Sequence, residues 1–146
     1  MKKGALLSVI LCGFLFCLIP VTVQADGVFM GDFCWSIDDG SNNTVTCKLG
    51  VFSPGGGHYL LLGTVQHSTD DTYTAHGNAE IIAGKIHMSL VFADGNNNAM
   101  ASTHVLCVLD PSTFNGTYNG VSTGANDIGE TKIQYVSGTL NLIPCQ

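Results

Sequence analysis

Turn-forming clusters interrupt this chain about every ten residues, and between them apolar and polar side chains alternate with a period of two. The clusters are Asp38-Asp39-Gly40-Ser41-Asn42-Asn43, Ser53-Pro54-Gly55-Gly56-Gly57, His67-Ser68-Thr69-Asp70-Asp71, Ala83-Gly84, Asp94-Gly95-Asn96-Asn97-Asn98, Asp110-Pro111-Ser112-Thr113 and the stretch 124–130. Gly, Asn and Asp supply the positive φ angles that tight hairpin turns need. The clusters mark off extended segments at 30–38, 44–53, 58–66, 72–82, 85–93, 99–110, 114–123 and 131–143. Ile86, Met88, Leu90 and Phe92 share one face of their segment, and Lys85, His87 and Ser89 the other. Tyr73, Ala75, Gly77, Ala79 and Ile81 oppose Thr72, Thr74, His76, Asn78 and Glu80, and Val136, Leu140 and Leu142 share a face of the last segment. A two-residue period of this kind belongs to half-buried antiparallel strands.

Every connection is short, so consecutive strands are expected to pair as a meander. A two-sheet sandwich needs longer crossing connections. Eight hairpin-linked strands close most simply into a barrel, which removes the two exposed edges. The expected fold is therefore all-β, an eight-stranded antiparallel up-and-down barrel.

Residues 1–25 have a different character. Lys2 and Lys3 precede an apolar run from Ala5 to Ile19, Pro20 breaks the run, and Val23-Gln24-Ala25 places small residues at −3 and −1 of a cleavage site. This is the pattern of a Sec-type signal peptide. It predicts export to a periplasmic or extracellular, oxidising compartment, with residues 26–146 as a single β-barrel domain. Leu11 before Cys12 and Phe16 before Cys17 are poor lipobox residues, and the later strands carry a Thr-, Asn- and His-rich face. No stable membrane anchor is expected. The chain has no arginine, and cleavage would leave Lys48, Lys85 and Lys132 against the 11 acidic residues. Phosphate recognition draws on Lys and Arg clusters, so nucleic acid is not an expected partner.

Cys34, Cys47, Cys107 and Cys145 remain after the signal, and an even number of cysteines in an exported chain predicts two disulfides. Cys34 and Cys47 flank the first turn, and a tail folding back after Pro144 could bring Cys145 to Cys107. These are the preferred pairs. Cys34–Cys145 would suit a seam between the first and last strands, but it leaves the other two cysteines unmatched. Alternation puts Cys34 on the polar face with Ser36 and Cys47 on the apolar face with Val45 and Leu49, so the preferred pairing needs a bulge near the first turn.

His76, His87 and His104 lie on three consecutive segments. With Ala83-Gly84 as the turn, His87 faces Glu80, and His104 is expected about one rung away on the next strand. Such a Glu80–His87–His104 group has the donor types for zinc or copper, but a solvated polar face is the simpler reading, and no metal or other cofactor is expected. No nucleophile elbow or convergent carboxylate pair stands out, so no catalytic residues are assigned.

Gly31-Asp32-Phe33-Cys34-Trp35 places the single tryptophan in the first strand, and Gly116-Thr117-Tyr118 and Ser137-Gly138-Thr139-Leu140 stand in the last two. This pattern resembles the calycin group, the lipocalin- and avidin-type barrels. The resemblance implies an eight-stranded barrel whose first-strand Trp plugs the closed end, with Lys132 as the late basic residue available to pack on it. The chain lacks a tryptophan set like that of the avidin biotin site, so biotin is not implied. The expected function is an exported binding barrel for a small apolar ligand, with Trp35, Tyr73, Met88 and Phe92 lining the cavity. Gly63, Ala75, Gly77 and Ala79 are expected to leave room inside. The alternative is an exported scaffold or inhibitor that acts on a protein partner through its surface loops.

Overall fold

The computed structural model describes residues 27–40, 45–67, 72–94, 102–125 and 131–146. The expected signal peptide lies outside them. Eight strands follow in order: β1 (Val28–Asp38), β2 (Val45–Gly55), β3 (His58–His67), β4 (Thr72–Ile82), β5 (Lys85–Asp94), β6 (Ser102–Leu109), β7 (Gly116–Ala125) and β8 (Thr131–Ile143). Each strand pairs antiparallel with its sequence neighbours, and β1 pairs with β8, so the sheet closes into a barrel. The alternation seen in the sequence explains the outcome. A single register shift would send every apolar side chain to the wrong face, so burial pins the pairing.

The apolar rows point inward. Trp35 faces Cys47, Leu49 faces Phe33, and Leu90 faces Gly77 across the ladders. Cys47, Leu49, Ala75 and Leu90 fill the middle of the barrel and are almost completely shielded from solvent. The outer face carries Lys48, His58, His76, Glu80, Lys85, His87 and His104, with ion pairs between Lys48 and Asp32 at 3.4 Å and between Lys85 and Asp110 at 2.8 Å. The same face also carries exposed apolar side chains, among them Leu60, Leu62, Leu106 and Tyr135. A β-bulge interrupts β1 between Phe29 and Gly31, where Gly31 takes a φ of 133° that L side chains rarely adopt. The β4–β5 hairpin turns on Ala83 and Gly84, both at positive φ (49° and 74°), the pattern of a type I′ turn.

Two expectations are corrected here. The first is the cysteine pairing. Cys34 bonds to Cys145, with Cα atoms 5.2 Å apart, while Cys47 and Cys107 are free and buried. The reason is face parity. Cys34 lies on the outer face opposite Ile143 of β8, and Cys145 follows two residues later. Cys47 points inward, so the barrel wall separates it from Cys34. The bond sits on the β1–β8 seam and suits a non-reducing environment.

The second correction concerns space. Gly63 and Gly77 face inward but leave no room. A Cβ on Gly63 would collide with the Lys48 carbonyl oxygen and stand 2.9 Å from the Leu49 Cα. On Gly77 it would collide with the Ser89 carbonyl oxygen and stand 3.0 Å from the Leu90 Cα. These glycines mark where adjacent strands coil so tightly that one backbone fills the side-chain position of the next. The two alanines are buried, and of these Ala79 borders a cavity while Ala75 is part of the central packing.

Candidate ligand-binding site

The filled middle of the barrel leaves a cavity toward each end. One, of about 250 Å³, is lined by residues including Ile37, Asp39, Tyr73, Phe92, Thr103, Cys107 and Tyr118. The four connections around it, after β1, β3, β5 and β7, fall wholly or partly outside the described residues. The other cavity, of about 300 Å³, lies at the end where β1 begins and the β2–β3, β4–β5 and β6–β7 connections turn. Its floor includes Trp35, Leu61, Ala79, Met88 and Leu109, all buried. Met30, Phe33, Tyr59, Ile81, Ile86, Pro111 and Phe114 complete its wall and rim.

The four residues expected to line one cavity therefore divide. Trp35 and Met88 line the cavity at the Trp35 end, and Tyr73 and Phe92 line the opposite one. The signal missed in the sequence was Phe33, Tyr59 and Phe114. Phe33 and Tyr59 share the inward parity of residues already singled out, whereas Phe114, the first residue of the expected 114–123 segment, lies in the β6–β7 connection, whose fold is not legible from composition.

That connection, residues 110–115, builds the rim. Asp110 caps it: its carboxylate accepts from the Ser112 amide at 2.9 Å, from the Ser112 hydroxyl and from Lys85 Nζ. The Lys85 and Ser112 hydrogen bonds hold that carboxyl well below the usual carboxylate range. The Phe114 amide donates to the Asp110 carbonyl at 2.7 Å, and the Leu142 amide donates to Asn115 Oδ1 at 2.7 Å. Phe114 itself sits at φ 56°, a left-handed conformation uncommon for a bulky residue, which persists only because its surroundings hold it.

Trp35 ties this connection to β1. It is 2 % exposed, and its Nε1 donates to the Phe114 carbonyl at 2.8 Å. The Phe33 ring stacks on Trp35 with centroids 6.0 Å apart and tilts against Phe114 at 5.5 Å. The expected partner Lys132 is elsewhere: it pairs with Gly124, ten residues along β8 from the Leu142 that faces Trp35. The Trp35 end is thus fastened by a backbone carbonyl in place of a basic side chain. Replacing Trp35 by Phe keeps a ring but leaves the Phe114 carbonyl without its donor. The expected cost is about 1–3 kcal/mol, read from urea unfolding, with faster amide exchange at Phe114. Unchanged stability and unchanged exchange would show that the bond does not hold the connection.

Elsewhere the register of the titratable groups differs in part from the one expected. Glu80 does face His87, but its other neighbour is His58, whose Nδ1 lies 3.8 Å from the carboxylate. His104 faces Val91, well along the strand from His87, which faces Val108. The Glu80–His87–His104 group is therefore not formed, and among the described residues no three His, Cys, Asp or Glu side chains are placed to share a metal ion. The thiols of Cys47 and Cys107 are both pushed up to about 12 by burial, with Cys107 adding like-charge repulsion at Cys47. They behave as small apolar packing groups rather than nucleophiles.

Compared with protein-family models, with curated proteins and with solved structures, the chain matches none.

Proposed function

We propose that this protein is an exported barrel of calycin-like architecture that takes up a small apolar ligand through its Trp35 end, the end that the calycin resemblance alone would close. The observation that carries this reading is the cavity of about 300 Å³ whose wall is hydrocarbon, aromatic ring and thioether. Ligand pockets start near this size and are mostly apolar. Its rim supports the same reading. Met30 and Ile81 stand 56 % and 53 % exposed at the mouth, where apolar side chains gain by being covered. Export is supported by the features of residues 1–25 and by the Cys34–Cys145 bond.

A second reading, a scaffold that meets a protein partner, draws on a different surface. Phe29, Phe52 and Leu60 are cross-strand neighbours on the outer face, with the two rings 5.1 Å apart and exposed Leu62 beside them. Native mass spectrometry of protein recovered from its own host separates the two. Ligand binding predicts a chain mass beginning at Asp26 with a small apolar adduct, whose removal changes the emission of Trp35, the single tryptophan. A bare chain whose emission no apolar compound alters would overturn the ligand reading. A bare chain recovered with a stoichiometric protein partner would favour the second.

A further inference from the structure

We infer that the Trp35-end cavity is built for a neutral, flat compound of one or two fused rings, and not for an acyl chain with an acidic head group. The inference rests on the binding role proposed above and names the ligand class. Size comes first. A dry cavity of about 150 Å³ lined by Leu, Ile and Phe accepts benzene. The cavity here is about 300 Å³, enough for a second ring.

The lining selects for rings. Phe33, Trp35, Tyr59 and Phe114 contribute four aromatic groups, and Met30 and Met88 two thioethers. Aromatic pairs and sulfur–ring contacts add attraction beyond buried area, about two- to tenfold in affinity for each good ring contact. The Phe33 and Trp35 rings already stack within 19° of parallel, an arrangement that a flat ligand ring can extend. Phe114 is fixed by its backbone bonds to Asp110 and Trp35, so little ordering is needed when a ligand arrives.

Charge selects against acids. No lysine, histidine or carboxylate lines this cavity. The basic side chains at this end lie on the outer face beside carboxylates: Lys85 is paired with Asp110 at 2.8 Å, His58 stands 3.8 Å from Glu80, and His87 also faces Glu80. The chain has no arginine to offer. The Trp35 Nε1 donor is committed to the Phe114 carbonyl. A carboxylate placed here would be buried without compensation. The opposite cavity differs, since Asp39, Thr103, Ser122 and Tyr118 bring polar groups to its wall.

The test uses residues 26–146 with ¹³C-methyl-labelled methionine, titrated separately with naphthalene, 1-decanol and decanoate. Naphthalene is expected to shift the Met30 and Met88 methyl signals upfield through its ring current, and to bind at least about tenfold more tightly than either chain compound. Ile81→Trp fills the exposed rim, and is expected to weaken naphthalene about tenfold with stability unchanged. Decanol or decanoate binding as tightly as naphthalene at the same methyls would overturn the ring preference and leave the apolar-ligand role standing. No shift of either methyl with any probe would overturn both. Naphthalene binding that leaves the two methyls unmoved would put the ring elsewhere and overturn the inference. The methyl shifts are read on the unsubstituted chain, so the result does not depend on the variant folding.

Discussion

Replacing Cys34 and Cys145 together by serine is expected to remove about 4–5 kcal/mol from the unfolding free energy. The bond joins residues 111 apart in the chain, from β1 to just beyond β8, and a loop of that length restricts the unfolded ensemble severely. The native side adds to the effect. Cys34 is 3 % exposed although it lies on the outer face, so the bonded tail covers it, and freeing the tail uncovers the seam. Urea unfolding with and without reductant measures the change. Cys47→Ala with Cys107→Ala is the control, since it leaves the covalent loop intact, and only the packing loss of two small side chains is expected. Alkylation adds a second readout: the control thiols in the native protein should react only on unfolding, because burial holds both in the neutral form. Equal losses in the seam variant and the control would show that the bond contributes no more than ordinary packing.

Gly77→Ala is expected to cost about 3–5 kcal/mol, the upper range for one methyl group. The added carbon meets backbone on the neighbouring strand: the Ser89 carbonyl oxygen and the Leu90 Cα at 3.0 Å. Neither can rotate away. Relief requires β4 and β5 to separate, which breaks ladder bonds at the centre of the barrel. Gly57→Ala is the comparison. Its φ of 79° is unfavourable for alanine, but nothing stands within 4 Å of the new carbon, so only about 1–2 kcal/mol is expected. Chemical denaturation of the two variants tests the difference. A Gly77→Ala protein as stable as Gly57→Ala would mean that the close approach relaxes at little cost.

The barrel was legible in the sequence because two independent signals agreed. Alternation assigned faces, and turn clusters placed the ends. Where a turn was short, register followed as well: Ala83-Gly84 leaves no slack, and Glu80 does face His87. The next connection is longer, and counting residues through it could not place His104, which faces Val91. The cysteine pairing failed for another reason. Cys34 and Cys47 are neighbours across a turn, but they lie on opposite faces of the sheet. A cross-link on one pair of strands needs both side chains on the same side of the sheet, and parity was the stronger constraint.

The candidate site was less legible than the fold. Trp35 and Met88 could be placed inside by parity alone, yet so could Tyr73 and Phe92, and nothing in a strand pattern tells which end of a barrel a side chain leans toward. Phe114 was harder still. Its place at the rim depends on a left-handed backbone conformation and on a carbonyl aimed at an indole. The inward glycines also misled. In a strand, glycine signals either empty space or a close neighbour, and only the path of the adjacent backbone decides which.

The seam bond also bears on how this chain survives among proteases. Cys34 and Cys145 lie near the two ends of the described chain, so the eight strands hang on what is almost a covalent ring. A single cut in any hairpin opens that ring without releasing a piece. Both fragments stay tethered at the seam and remain paired with their neighbours on the sheet, so the broken ends can re-dock as an intramolecular event. Two cuts are needed before anything can diffuse away.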